Sequence, residues 1–250
     1  MTDPVLKLDN VTKSYWRGTR ELKVLRSISL EVGPGELFAV YGQRGAGKTT
    51  LLRMAAGFEP PDDGRVMLGD RDLAQVSHNA LAKLHRASIA WVDRAGQQSR
   101  ELDVQTYVAL PMYRSHGPKE AQRRAHATLE RVGAADVAAE RWESLSDTSR
   151  TLVSIAHALI RQPRLLLIDD PAGGLNVIDR ERVAGLLRSA AEDDGCAVLT
   201  VVPDFPSMHH AHEVRSLSRG RLVVPAERPK HGDGASGGTV VEFPGSERSA

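Results

Sequence analysis

Gly42-Gln43-Arg44-Gly45-Ala46-Gly47-Lys48-Thr49 decides how the rest of this chain is read. The octet runs glycine, four residues, then Gly-Lys-Thr. It stands between a compact apolar run, Leu37-Phe38-Ala39-Val40-Tyr41, and a segment from Thr49 to Ala56 with helical patterning. A buried strand that enters a helix through a glycine-rich loop is a phosphate-binding layout. Glycines let consecutive backbone N–H groups curl around an anion, and the helix that follows offers its positive end. A lysine at the end of such a loop reaches the terminal phosphates, and a neighbouring hydroxyl can ligate Mg²⁺. The candidate binding residues are therefore Gly42, Gln43, Arg44, Gly45, Ala46, Gly47, Lys48, Thr49 and Thr50, with Lys48 on the phosphates and Thr49 on the metal.

On either side of this loop the pattern is that of an α/β protein. Val5 to about Val32 alternates in short steps, as in Ile28-Ser29-Leu30-Glu31-Val32, with turn residues at Gly18 and Gly33-Pro34-Gly35, and predicts antiparallel strands. Residues 101 to 142 are dominated by helix formers, notably Pro118 to His126 and Leu129-Glu130-Arg131-Val132, the latter ended by Gly133, which predicts a helical insert. Leu165-Leu166-Leu167-Ile168 and Ala197-Val198-Leu199-Thr200-Val201-Val202 are apolar runs separated by the helical pattern Val177 to Glu192, as parallel strands with crossover helices require. Asp169, at the carboxyl end of the first run, is where a second group would hold Mg²⁺; taken alone, Asp169-Asp170 behind a strand could equally cap a helix. The expected division is one domain over 1–225, with a helical subdomain of about 95–150 inserted. After Val224 the composition turns to Pro, Gly, Ser and charge, and a flexible tail is expected over 226–250, where Val240-Val241-Glu242-Phe243 could dock.

Composition narrows the function classes. The 250 residues carry 33 Lys plus Arg against 32 Asp plus Glu, a net charge of +1, which argues against a nucleic-acid-coating role. With 41% hydrophobic and 26% charged residues the chain can bury a sizeable core. One cysteine, Cys196, allows no internal disulfide and fits a reducing compartment. No stretch approaches the roughly 18 apolar residues of a bilayer-spanning helix, and Met1-Thr2-Asp3-Pro4 lacks the features of a secretory signal. A cytoplasmic location is expected, with any membrane role coming through a partner.

Several segments together resemble the ATPase subunit of an ABC transporter. These are Tyr15 in Val11-Thr12-Lys13-Ser14-Tyr15, the loop at 42 to 50, Leu145-Ser146 ahead of Val153-Ser154-Ile155-Ala156-His157-Ala158-Leu159, and Leu166-Leu167-Ile168-Asp169-Asp170-Pro171. The resemblance covers residues 4 to about 224. Val108-Ala109-Leu110-Pro111-Met112-Tyr113, Lys119-Glu120-Ala121 and Leu129-Glu130-Arg131-Val132-Gly133 look most like the branch that contains LolD, MacB and FtsE. The resemblance implies the α/β fold of ABC ATPases: a P-loop NTPase core, an N-terminal antiparallel β-subdomain and an inserted α-helical subdomain. It implies ATP and Mg²⁺ as ligands, and a dimer with a second ATPase subunit, the same chain or another. It also implies an integral membrane permease as partner, on the inner face of the membrane. By the same resemblance Tyr15 stacks on adenine, although Tyr15 could simply cap the small sheet.

Departures from the family pattern are as informative as the matches. The family's Leu-Ser-Gly-Gly-Gln reads Leu145-Ser146-Asp147-Thr148-Ser149, so an anionic side chain stands where glycines bring backbone to a partner's γ-phosphate. The usual catalytic glutamate is Asp170, one methylene shorter, which puts its catalytic role in doubt. Arg94 replaces the usual glutamine after Ile89-Ala90-Trp91-Val92-Asp93, Pro203 replaces the switch histidine, and Asn176 replaces an aspartate. In the family's head-to-tail dimer each ATP lies between one subunit's loop, glutamate, glutamine and histidine and the other's Leu-Ser-Gly-Gly-Gln. This chain departs in both halves, so no partner completes either site in the family's usual way. The expected function is an ATP-binding transporter subunit with weak or absent hydrolysis. The alternative is a non-transporting ATP-dependent scaffold of FtsE type, and drift in a redundant copy is the bland reading of the same losses.

Three smaller features complete the list. Arg44 could add positive charge near the γ-phosphate or point to solvent. His209, His210, His212 and Glu213 could bind a transition metal, but a solvated helix after Pro203 is the expectation. Arg123-Arg124 reads as a solvated face.

Overall fold

The computed structural model describes residues 3–93, 101–204 and 210–225. Its first element is the antiparallel pair that the alternation predicts: β1 (Leu6–Arg17) turns at Gly18 into β2 (Arg20–Val32). Leu6, Leu8 and Val11 of β1 and Leu25, Ile28, Leu30 and Val32 of β2 face inward. After β3 (Leu37–Tyr41) and α1 (Lys48–Ala55), β4 (Asp63–Leu68) joins the free side of β1 and carries the two-residue β5 (Arg71–Asp72), giving the order β2-β1-β4-β5. Helix α2 (His78–Ala87) then leads into β6 (Ile89–Val92).

The described residues between β6 and the next strand form the α-helices α3 (Val104–Ala109), α4 (Tyr113–Val132) and α5 (Asp147–Leu159), with short 3-10 turns between them. Asp103 caps α3 by accepting from Thr106 N at 2.7 Å. Helix α4 is broken at Gly117 (φ 72°, ψ 166°) ahead of Pro118 and stops at Gly133, which is left-handed. Ala121, Ala125, Leu129 and Val132 follow the three-to-four spacing of one helical face and are all buried.

The remaining chain supplies β7 (Leu165–Asp169), α6 (Val177–Asp194), β8 (Ala197–Val202), β9 (Glu213–Ser218) and β10 (Arg221–Val223). They complete a second sheet in the order β10-β9-β3-β8-β7-β6, parallel except for β10. Side chains of β7 alternate between two cores, as a strand covered on both faces must. Leu165 and Leu167 pack with Phe38, Val40 and Leu51, and Leu166 and Ile168 pack with Leu152, Ile155 and Leu187. Because β3, β8 and β7 are parallel neighbours, Tyr41, Val202 and Asp169 end on one edge, the edge where open α/β sheets bind ligands. Cys196 is buried just before β8, and burial pushes its thiol up to about 12.

The expected tail, including Val240 to Phe243, lies outside the described residues, as do Arg94 and His209. One expectation is corrected: Glu213 opens a strand rather than lying on a solvated helix, and His212 Nδ1 accepts from Leu37 N at 2.9 Å. Parallel pairing of β9 with β3 outweighs local helix patterning at that point.

His157 of α5 stacks on Tyr107 of α3, with ring centroids 4.5 Å apart. Burial, and secondarily the Arg161 cation, lowers its pKa to about 4. The folded value lies below the unfolded one of about 6.5, so the neutral ring's contribution is complete above that pH and is lost as pH falls toward 4. His157→Phe keeps the stacking and removes the titration. Denaturant unfolding from pH 7 to pH 4 is expected to show a shallower loss of stability in the variant, by on the order of 2 kcal/mol at the acid end.

Candidate functional site

The loop after β3 is shaped by two close approaches. Gly42 N donates to Val202 O at 3.3 Å, and Ala46 N donates to Gln43 O at 3.1 Å, which closes the turn. Gly47, the residue before α1, has φ 102°, and a Cβ there would lie 2.8 Å from Val24 Cγ1 and 3.1 Å from Leu25 Cδ2. Only glycine meets both conditions. The first turn of α1 then presents its unbonded N–H groups with no side-chain cap competing for them, an arrangement that attracts anions.

Lys48 folds back over the loop and donates from Nζ to Gly42 O at 2.5 Å and Gln43 O at 3.0 Å. Burial lowers its pKa, and the carboxylates of Asp169 and Asp170 act the other way. Thr49 Oγ1 donates to Asp169 Oδ2 at 2.7 Å. A hydroxyl and a carboxylate, both oxygen donors in contact at the sheet edge, fit a small hard cation such as Mg²⁺. Thr50 lies next in α1, close to Tyr15, whose hydroxyl is pushed up in pKa chiefly by burial. Tyr15 is 37% exposed, with the ammonium of Lys13 5.9 Å from its ring centre, so the ring is accessible beside the loop.

One cleft gathers Arg44, Gly45, Gly47, Lys48, Thr49, Thr50, Asp169 and Asp170 with Val24, Gly173, Arg180 and Pro203. Gly42, Gln43 and Ala46 line an adjoining cleft on the other side of the loop. Asp170 has a left-handed backbone (φ 50°), and its N–H donates to Val201 O at 2.8 Å. Its carboxylate is turned onto Gly173, where a Cβ would lie 2.4 Å from Oδ2. Arg180 carried no motif signal, yet it lines the same cleft. Its Nε donates to Leu175 O at 2.8 Å, and Nη1 lies 3.7 Å from Asp204 Oδ2.

At the start of α5 the polar groups satisfy one another. Ser146 Oγ caps Ser149 N at 3.1 Å, and Thr148 Oγ1 donates to Asp179 Oδ2 at 2.7 Å. Asn176 caps α6 through Asp179 N at 2.9 Å and also donates to Asp179 Oδ2. Among the described residues no His, Cys, Asp and Glu group is arranged for a metal: His210 pairs with Glu181 at 3.0 Å, and His212 lies 3.5 Å from Glu192. No described helix is long and apolar enough to cross a membrane.

A phosphate loop at the switch of a parallel sheet, with a carboxylate on the neighbouring strand, defines a nucleotide-binding α/β protein of the P-loop class. Residues 25–173 match the ABC transporter family, and the chain belongs to it as an ATP-binding subunit. It is 32% identical to the lipoprotein-releasing system ATP-binding protein LolD of Chromohalobacter salexigens, over 89% of this chain and 94% of that one. It is 31% identical to the macrolide export ATP-binding/permease protein MacB of Sodalis glossinidius, over 90% of this chain and 34% of that longer protein. Among solved structures, the dimeric post-hydrolysis state of the ATP-binding cassette MJ0796 bound to ADP and Pi superposes with a TM-score of 0.79. It is 26% identical over 87% of this chain and 96% of that one. CbiO1 of Clostridium perfringens, with a TM-score of 0.78 and 24% identity over 89% of this chain and 88% of that one, shares the fold.

Lys48→Ala is expected to lower affinity for a fluorescent ATP analogue by roughly 100-fold, since hydrogen bonds to charged groups contribute about 1.5–3 kcal/mol each. Gly47→Ala forces a side chain into an unfavourable φ and onto Val24. It should weaken the same binding and lower stability by roughly 1–3 kcal/mol in thermal unfolding.

Proposed function

We propose that this subunit binds ATP with Mg²⁺, couples that binding to a separate membrane permease, and hydrolyses ATP slowly. The observation that carries the reading is the contrast within one cleft. Lys48, Thr49 and Asp169 stand ready around the loop, while the Asp170 carboxylate lies against Gly173. In this reading Gly42 to Thr50 cradle the phosphates, Tyr15 receives the adenine, and Thr49 and Asp169 hold the metal. When bound, Mg²⁺ neutralises charge on the phosphates.

A base for hydrolysis must reach the attacking water, and losing a positioned one costs about 10²- to 10⁴-fold in rate. Asp170 is short by one methylene, and Pro203 offers neither a side-chain donor nor an N–H. Two copies, or this chain and a related ATPase, would sandwich each nucleotide between one loop and the other subunit's α5. At that α5 the Asp147 carboxylate faces outward, 81% exposed. The cassette would occupy 1–225 with its helical insert at about 95–150, and 226–250 would be a tail. The assembly would sit on the inner face of the membrane through the permease.

The purified chain should therefore release phosphate from ATP at least about 100-fold more slowly than a relative with the family's usual residues. Rescue tests the division of labour. Asp170→Glu with Pro203→His restores the half beside the loop; Asp147→Gly, Thr148→Gly and Ser149→Gln restore the half across the dimer. Each partial variant alone should stay slow, and their equimolar mixture and the fully restored chain should gain strongly, because groups that act as a unit contribute little singly. High turnover in wild type, or in either partial homodimer, overturns the reading.

A further inference from the structure

We infer that Arg44 of one copy of this chain forms an ion pair with Asp147 of a second copy, so that protein charges close the composite site. The inference rests on the head-to-tail sandwich proposed above and deepens it. Arg44 lies at the mouth shared by the phosphate cleft and the larger cleft beside it. It is exposed, and among the described residues no hydrogen bond or ion pair occupies it. The larger cleft adds Lys23, Arg26, Arg219 and Arg221, and the one acidic residue among its described lining, Asp204, already faces Arg180 at 3.7 Å. The backbone builds this concentration of positive charge. Arg26 N donates to Gly220 O at 2.7 Å, which clamps the β9–β10 turn onto β2 and sets the cations of both elements side by side. Such a cleft attracts an anion.

The complementary surface is on the same chain but at another place. Asp147 opens α5 with its side chain 81% exposed, and Arg150 approaches it only at 3.5 Å. The Thr148–Asp179 hydrogen bond fixes this helix end beside the start of α6, where Val177 and Ile178 are 75% and 80% exposed. Two large apolar side chains left uncovered beside the carboxylate mark a surface that a second protein can cover, and an ion pair there gains strength as water leaves. Arginine is the suitable partner, since its planar fork meets a carboxylate through two parallel hydrogen bonds. A carboxylate brought toward ATP without that cation would repel the γ-phosphate; with Arg44 between them, both anions are countered.

Charge reversal in separate chains tests this. Asp147→Arg and Arg44→Asp are purified individually, and dimerisation with saturating ATP and Mg²⁺ is followed by sedimentation velocity, saturation being checked by nucleotide titration. Each variant alone sets like charges against each other in both sites and should dimerise at least about tenfold more weakly than wild type. Their equimolar mixture keeps the native Arg44–Asp147 pair in one site and sets the two substituted side chains, with their charges exchanged, against each other in the other site. Dimerisation should then return to near the wild-type level. The neutral variants Asp147→Asn and Arg44→Gln provide a second cycle in case a reversed charge disturbs folding, and the doubly neutral chain should be no weaker than either single one. If wild type dimerises and both reversed variants dimerise as tightly, the pair is refuted and the sandwich stands. If wild type remains monomeric with ATP and Mg²⁺, the sandwich of identical chains falls and the pair with it. If Arg44→Asp loses ATP affinity while Asp147→Arg dimerises like wild type, Arg44 belongs to the nucleotide and the pair is again refuted.

Discussion

A hydrogen bond of 2.7 Å joins Thr49 Oγ1 to Asp169 Oδ2 across 120 residues of sequence, and the organisation of the site depends on it. It forms only because β3, β8 and β7 are parallel neighbours in that order, so that the loop after β3 and the end of β7 open on the same edge. Parallel order in turn requires crossovers, and α6 with the segment around α3 to α5 supplies them. The apolar alternation along β7 is the driving force beneath this arrangement. Removing Leu165 and Leu167 from water on one face and Leu166 and Ile168 on the other fixes the strand between two cores, and the carboxylate arrives at its end.

The two ends of the site differ in how their polar groups are satisfied. Around the loop, the N–H groups of the first turn of α1 have no side-chain cap and remain available to an anion from outside. At α5 the donors are taken up internally: Ser149 N by Ser146, and Thr148 by Asp179, which Asn176 also holds. Thr148 and Asn176 both depart from the resemblance drawn on sequence, and the same carboxylate binds them. Departures that look independent along the chain are therefore one local network, in which both residues meet at the Asp179 carboxylate.

Much of this was legible in the sequence because its signals are short-range. The glycine spacing of the loop, the period-two burial of β1 and β2, and the apolar runs of β7 and β8 are each contained in about a dozen residues, and each forms as read. What escaped was set by distant neighbours. His212 belongs to the end of a strand because Leu37, 175 residues earlier, donates to it. Arg180 enters the cleft because α6 happens to start beside the Asp170 loop, and no spacing rule marks it. That Asp170 rests on Gly173 follows from a left-handed backbone at an aspartate, a conformation its composition only permits.

Val24 of β2 is held between two glycines from different parts of the chain. A Cβ at Gly47 would lie 2.8 Å from Val24 Cγ1, and one at Gly220 would lie 2.7 Å from Val24 O. One side is the phosphate loop and the other is the turn that ends the central sheet, so a single residue of the antiparallel sheet touches both with no space the size of a methyl group left over. A side chain added at either glycine would have to displace Val24, and there is no free space beside it to take up the change, so the packing of the loop and that of the turn are set by the same residue.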